Sequence, residues 1–274
     1  MQIDSWRAFA EKNPIKLWEH TPGYDPTIDQ DEPTLTPYLL EGQGNGCVIV
    51  LPGGGYVMKA MHEAEVIAKA MNAQGFSAFV LDYRVSPYRY PLPQMDASRA
   101  VRFVRCHAAR YGVRPDRIAV LGFSAGGHLT ACTGVFWDEG DPNSADPVER
   151  FSSRPDAMLP CYPVVDLVGS YAHEGCAQVL LGDRAGDIEL REQLSPARHV
   201  TERTCPAFLW HTAEDDVVPC QNSEVLFRAL CEKGVPAALH IFPRGHHGLG
   251  LALDWPQVRR WVDLAGDFLR DLWQ

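Results

Sequence analysis

The stretch that decides the fold is Ile118-Ala-Val-Leu-Gly-Phe-Ser-Ala-Gly-Gly-His-Leu129, which contains the pattern G-x-S-x-G centred on Ser124. The five residues alone are a weak signal, but an apolar run precedes them and a helical pattern begins at Ala125. This context predicts a sharp strand-to-helix turn in which the serine backbone is strained. Gly122 and Gly126 leave room there for neighbouring elements to pass close.

A serine in such a turn stands above the carboxyl end of a sheet, at the N-terminus of a helix. The positive end of the helix dipole favours the negative charge that develops on the hydroxyl or on a bound oxyanion. Ser124 is therefore predicted to be the nucleophile of a hydrolase. The alternative is a glycine-rich turn whose serine only caps the helix.

Short apolar runs alternate with segments of helical periodicity along the rest of the chain. The predicted strands are Thr34–Leu40, Cys47–Leu51, Ser77–Asp82, Ile118–Gly122, Ala157–Tyr162, Ala207–His211 and Ala237–Phe242. The predicted helices are Glu63–Gln74, Gln94–Tyr111, Ala125–Phe136, Gln221–Lys233 and Gln257–Trp273. Strands separated by helices imply a mostly parallel sheet, of about eight strands, with helices on both faces. A single α/β domain over residues 1–274 is expected, with entrance loops or a small lid in the irregular segments 1–46, 138–155 and 163–204.

Composition narrows the class of protein. The 274 residues carry a formal net charge of −10, which argues against binding to nucleic acid or to anionic membranes. No segment approaches the roughly 18 apolar residues of a membrane span, and the N-terminus lacks the pattern of a secretory signal. The eight cysteines stand singly, several in apolar runs, which is typical of reduced thiols and predicts a cytoplasmic protein without cysteine-bound metal.

A second glycine-rich loop lies upstream of the serine, in Cys47-Val-Ile-Val-Leu-Pro-Gly-Gly-Gly-Tyr56. Attack by Ser124 on a carbonyl would create an oxyanion, which needs N–H donors already in position. The N–H groups of Gly54, Gly55 and Ala125 are the predicted donors. The alternative is a flexible turn, whereas a phosphate-binding loop is disfavoured because no G-K-[ST] follows.

A serine needs a base to activate it and a third group to orient that base, in the chain order Ser, acid, His. Acidic residues follow the strand predicted at 207–211, and two histidines follow the strand predicted at 237–242. Asp215 is chosen as the acid and His247 as the base. The rivals are Glu214, Asp216 and Asp166 for the acid and His246 for the base. Adjacent histidines rarely aim at one ion and no further ligand cluster is evident, so no metal is expected. Acyl transfer through a serine needs no cofactor, so none is expected.

With these residues in hand, the chain resembles a family of compact bacterial acetyl and carbohydrate esterases in the α/β-hydrolase superfamily, which includes acetyl xylan and acetyl-feruloyl esterases. The resemblance runs from about residue 45 to 250. It rests on LPGGGY (51–56), HEAE (62–65), LDYR (81–84), GFSAGGHL (122–129), SP (195–196), HTAEDDVVP (211–219) and GHHG (245–248). It implies an α/β-hydrolase fold without a large cap domain.

The family pattern also bears on single positions. It implies that Asp215 is the acid and His247 the base, and that Arg84 and Asp96 have structural roles. Related lipases carry histidine before the glycine triplet, whereas this chain has Pro52, which favours the carbohydrate-esterase branch.

The function expected is hydrolysis of short acyl esters, above all acetyl esters, on small molecules such as acetylated xylo-oligosaccharides. Short acyl groups are favoured because segment 163–204 leaves little room for a large lid. Tyr56, Tyr88 and Tyr90 are candidates to line a sugar or aryl pocket, although packing in the core or in a loop is the favoured role for each. An amide or peptide hydrolase, such as an arylformamidase or exopeptidase, stays open, as do a non-catalytic ligand-binding protein and a homodimer.

Overall fold

The computed structural model of the protein describes residues 13–274, and an eight-stranded sheet lies at their centre. Its strands are β1 (Ile15–Lys16), β2 (Thr34–Tyr38), β3 (Asn45–Leu51), β4 (Ser77–Asp82), β5 (Val113–Phe123), β6 (Ala157–Cys161), β7 (Ala207–Thr212) and β8 (Ala237–Phe242). Their spatial order is β1-β2-β4-β3-β5-β6-β7-β8. Strands β3 to β8 pair in parallel, while β2 runs antiparallel to both β1 and β4.

Helices cover both faces of this sheet. They are α1 (Glu65–Ala73), α2 (Leu92–Cys106), α3 (Ala125–Val135), α4 (Glu174–Leu181), α5 (Ile188–Gln193), α6 (Gln221–Glu232) and α7 (Trp261–Leu272). Alternate residues of β3 point to opposite faces. Val48 packs in the cluster that holds Ile67 of α1 and Trp261 of α7, and Ile49 packs in the one that holds Leu129 of α3. The order and layering are those of an α/β-hydrolase fold, as the sequence predicts.

All seven predicted strands and all five predicted helices are present; β4 and β8 have the predicted bounds, and the others have shifted ends. Strand β5 begins at Val113 rather than at Ile118, and the last helix begins at Trp261 because residues 258–260 form a 3₁₀ turn. Three elements are not predicted from the sequence: β1, which has only two residues, and the short helices α4 and α5 within segment 163–204. These helices bury residues such as Leu180 against the core, so the segment is more regular than expected. No helix among residues 13–274 has the length and apolarity to cross a bilayer.

One buried ion pair joins the end of β4 to α2. The Arg84 and Asp96 side chains are both fully buried, and the Arg84 Nη2 and Nε atoms lie 2.7 and 3.0 Å from the Asp96 carboxylate oxygens. The Arg84 backbone N–H donates to the same carboxylate at 2.8 Å, and Nη1 donates to the Pro22 carbonyl. The rings of Trp18 and Tyr88 flank the guanidinium at 5.7 and 5.6 Å. This arrangement fits the structural role that the family resemblance implies for the pair.

Removing one partner of this pair should be costly, because it leaves a charge buried without compensation. Asp96→Ala is expected to lower the free energy of unfolding by about 3–5 kcal/mol, measured by urea denaturation. Asp116→Ala is the matched control, since Asp116 pairs with Arg114 at the surface, where such pairs contribute little. Equal losses in the two variants would contradict a structural role for Asp96.

Candidate active site

Ser124 lies in the turn between β5 and α3, at the carboxyl end of the parallel strands. Its φ of 54° and ψ of −116° place a non-glycine residue in a strained conformation. A Cβ atom on Gly122 would collide with the Gly126 carbonyl oxygen, and one on Gly126 would collide with the Leu51 carbonyl oxygen. The predicted close approach of neighbouring elements therefore requires glycine at both positions.

The turn brings Ser124 to two residues that lie far away in the chain. Ser124 Oγ lies 2.8 Å from His247 Nε2, and His247 Nδ1 lies 2.7 Å from Asp215 Oδ2. Because the carboxylate accepts, Nδ1 donates, which leaves Nε2 free to accept the Ser124 proton. The Ser124 side chain makes no capping bond to α3, so the helix-cap alternative is wrong.

Asp215 has a second imidazole beside it. His211 Nε2 lies 3.2 Å from the same Oδ2 atom and 2.9 Å from the Val218 carbonyl oxygen, and its Nδ1 lies 2.8 Å from Ser223 Oγ. Burial alone would raise the pKa of Asp215, but the bonds from His211 and His247 outweigh it and hold that pKa well below its usual range. Asp215 is therefore ionised at neutral pH and able to orient His247.

The rival acids and the rival base make other contacts. Glu214 accepts a bond from the Gly245 N–H at 3.2 Å, and Asp166 accepts the N–H groups of residues 168 and 169. Asp216 and His246 are exposed. Among the described residues, none of these four contacts the hydroxyl of the predicted nucleophile.

A cavity of about 270 Å³ opens over Ser124 and His247. Its walls include Gly54, Gly55, Ala125, His62, Val164, His173, Cys176 and Val217. All six predicted catalytic and oxyanion residues thus lie in or beside one site. A larger cavity of about 710 Å³ lies between α2 and the end of α3, but neither Ser124 nor His247 lines it.

Backbone donors at this cavity come from the glycine loop and from α3. The Gly53 N–H is occupied, because it donates to Glu63 Oε2 at 2.7 Å. Across residues 13–274, no protein acceptor bonds the N–H of Gly54 or of Gly55. Ala125 is the first residue of α3, where N–H groups have no partner within the helix. The three predicted donors are therefore available to a ligand.

The structure does not bring Tyr56 and Tyr88 to the cavity, so it does not support their candidacy for the substrate pocket. Tyr56 is buried, and its hydroxyl bonds His128 Nδ1 at 2.8 Å. Tyr88 is also buried, with its ring against Arg84 and its hydroxyl bonded to the Asp25 backbone. Both tyrosines have packing roles, because polar partners inside the protein satisfy their hydroxyls.

His128 connects the glycine loop to α3. Its Nε2 lies 2.8 Å from the Leu194 carbonyl oxygen and must donate to it, so Nδ1 accepts from the Tyr56 hydroxyl. Burial lowers the pKa of His128 to about 4, which keeps the imidazole neutral near pH 7. Tyr56, the last residue of the loop, is thereby held against α3, the helix that follows Ser124.

The HEAE segment, for which the sequence alone indicates no role, reaches two loops of the site. Glu63 is buried, and its carboxylate accepts from the Gly53 N–H and from the Tyr162 hydroxyl. His62 Nε2 lies 2.9 Å from the Gly248 carbonyl oxygen, beside His247. The family resemblance included HEAE, but the partners of these side chains are remote in sequence, so no pattern revealed them.

Comparison with known proteins agrees with this geometry. The BD-FAE family profile matches residues 38–230. The chain is 40% identical over 227 residues to the endo-1,4-beta-xylanase B of Butyrivibrio fibrisolvens, covering 81% of this chain and 35% of that protein. It is 26% identical over 248 residues to an acetylxylan esterase of Xylanibacter ruminicola, covering 89% of this chain and 48% of that protein. The chain thus spans between a third and a half of the length of these two curated relatives.

A solved structure is similar over nearly its whole length. The acetyl ester-xyloside bifunctional hydrolase of Caldicellulosiruptor lactoaceticus superposes with a TM-score of 0.92 and is 46% identical, covering 95% of this chain and 96% of that one. The family match spans most of the chain and includes Ser124 and Asp215. This chain therefore belongs to the BD-FAE family of α/β-hydrolase esterases.

Proposed function

We propose that the protein is a serine esterase that hydrolyses short acyl esters through Ser124, His247 and Asp215. The observation that carries the proposal is the bonded series from Ser124 Oγ to His247 at 2.8 Å and from His247 to Asp215 at 2.7 Å. A carboxylate, an imidazole and a hydroxyl in this order are the groups that acyl transfer needs.

In the first half of the reaction, Ser124 Oγ attacks the ester carbonyl carbon while His247 Nε2 takes the hydroxyl proton. The carbonyl oxygen gains the negative charge and is held by the N–H groups of Gly54, Gly55 and Ala125. Asp215 stabilises the imidazolium that forms. His247 then gives its proton to the alcohol oxygen, the ester C–O bond breaks, and an acyl-serine remains.

In the second half, water replaces the alcohol. His247 takes one proton from the water while the water oxygen attacks the acyl carbon. The same three N–H groups hold the second oxyanion. The bond to Ser124 Oγ then breaks, and the proton returns from His247 to that oxygen. The products are a carboxylic acid and the free enzyme, so the cycle needs no cofactor.

Two observations support a short acyl group carried on a sugar. The cavity holds only about 270 Å³, and its apolar walls at Val164, Cys176 and Val217 suit a small alkyl group. The similar proteins described above are named as a xylanase, an acetylxylan esterase and an acetyl ester-xyloside hydrolase. We therefore propose acetyl esters of carbohydrates such as xylo-oligosaccharides as substrates.

The eight free thiols fit a reducing compartment, which supports the cytoplasm as the site of action.

Loss of the nucleophile should remove activity without unfolding the protein. Ser124→Ala is expected to lower kcat for p-nitrophenyl acetate by about 10⁴- to 10⁶-fold, since the acyl-enzyme can no longer form. Circular dichroism and the thermal midpoint serve as the control for folding. Near-normal turnover by the Ser124→Ala enzyme would contradict the proposal.

The cavity size predicts a preference among acyl chains. We expect kcat/KM for p-nitrophenyl esters to fall at least about tenfold from acetate to octanoate, because the longer chain exceeds the space over Ser124. The release of acetate from acetylated xylo-oligosaccharides, measured by chromatography, extends the test to sugar esters. Faster cleavage of octanoate than of acetate would refute the preference. Faster cleavage of formyl or peptidyl amides than of esters would favour an amide hydrolase.

A further inference from the structure

We infer that Glu63 is a positioning residue that holds the oxyanion loop and the histidine loop at a fixed separation. The inference rests on the proposed function, since it concerns the two halves of that machinery. Glu63 ends a 3₁₀ turn just before α1 and is only 2% exposed. It lies between the loop of Gly54 and Gly55 on one side and the loop of His247 on the other.

The two carboxylate oxygens of Glu63 accept hydrogen bonds that lead to two different loops. Oε2 accepts the Gly53 N–H at 2.7 Å, directly before the predicted oxyanion donors. Oε1 accepts from the Tyr162 hydroxyl at 2.5 Å, and that hydroxyl oxygen in turn accepts the Gly250 N–H at 2.9 Å. Glu63 therefore connects the oxyanion loop, through one tyrosine, to the segment that carries His247.

Tyr162 also supports the base directly. Its ring packs against the His247 imidazole at 5.1 Å between centroids, with the ring planes at 70°. Its φ of 35° is unfavourable for a tyrosine, so the surrounding contacts hold the residue where it lies. A second contact, from His62 Nε2 to the Gly248 carbonyl oxygen at 2.9 Å, holds the residue that follows His247.

The bonding pattern requires a carboxylate at position 63. The N–H groups of Gly53 and Gly250 can only donate, so the Tyr162 oxygen accepts from Gly250 and its proton points to Glu63. Both oxygens of Glu63 must therefore accept. A glutamine offers one acceptor oxygen and one NH₂ group. Its NH₂ group would therefore face a second donor, either the Gly53 N–H or the Tyr162 hydroxyl proton.

Stability alone does not account for this residue. A carboxylate is costly to bury, and the burial raises the pKa of Glu63 although the bonds from Tyr162 and Gly53 partly oppose the shift. The benefit lies in geometry, because oxyanion donors must stand about 2.7–3.1 Å from the charge that develops. Glu63 also lines the cavity over Ser124. Both of its carboxylate oxygens already accept hydrogen bonds within the protein, so Glu63 acts through Gly53 and Tyr162 rather than on substrate.

The test compares Glu63→Gln and Tyr162→Phe with wild type and with Asp156→Asn. Asp156 is a matched control: its partly buried carboxylate accepts the Ile118 N–H at 2.9 Å and pairs with Arg105, just before β6 and at the opposite end of that strand from the site. For each variant, kcat and KM for p-nitrophenyl acetate and the thermal midpoint are measured. The inhibition constant of a trifluoromethyl ketone is measured as well, because this inhibitor forms a charged tetrahedral adduct.

Glu63→Gln is expected to lower kcat by about 10- to 100-fold while KM changes by less than about threefold, because the donors and the base lose their mutual placement. Tyr162→Phe keeps the bond from Gly53 and should lower kcat by about three- to tenfold. In both variants the inhibition constant should rise by about the factor by which kcat/KM falls. Asp156→Asn should lower the thermal midpoint and leave kcat unchanged.

The inference is overturned if Glu63→Gln lowers the thermal midpoint but keeps the kcat of wild type, as a merely structural residue would. If Glu63→Gln does not fold, Tyr162→Phe decides the matter, and an unchanged kcat and inhibition constant there contradict the inference. The proposed function is tested separately by wild-type turnover and its loss in Ser124→Ala. Active wild type with unchanged Glu63 and Tyr162 variants would therefore reject only the positioning role.

Discussion

The site depends on one hydrogen bond, between Ser124 Oγ and His247 Nε2, which joins residues 123 positions apart at 2.8 Å. Nothing local brings these side chains together. The parallel sheet does so, because β5 and β8 deliver their following loops to the same edge. The strained turn at Ser124 then lifts its hydroxyl toward the imidazole. Gly126 lets the turn pass close to the end of β3, and Gly122 lets the first turn of α3 pass close to β5.

The loops around that bond are held from behind by buried polar groups. Asp215 is fixed by His211 and by the N–H groups of the turn that follows it. Tyr56 anchors the end of the glycine loop to His128, and Glu63 anchors its beginning. Each of these groups costs free energy to bury and is satisfied by specific partners. The placement of the predicted donors, base and nucleophile thus rests on side chains that do not bond the Ser124 hydroxyl.

The sequence predicts much of this arrangement because the decisive signals are local. A strand, a glycine-flanked serine and a helix lie within a dozen residues around Ser124, and the order of acid and base along the chain follows from the fold. The missed features are non-local or small. Helices α4 and α5 are too short for a clear period, and Tyr56 points inward because of His128, which lies 72 residues away. The links from Glu63 to Gly53 and Tyr162 are likewise visible only in three dimensions.

The central claim, that Ser124 is an activated nucleophile, is tested most directly by covalent labelling with a fluorophosphonate. The reagent phosphonylates an activated serine and releases fluoride, and mass spectrometry of the digested protein locates the added group. The account predicts one phosphonyl group per chain, on the peptide that contains Ser124. An unlabelled protein, or a label on another residue while Ser124 stays unmodified, would contradict it.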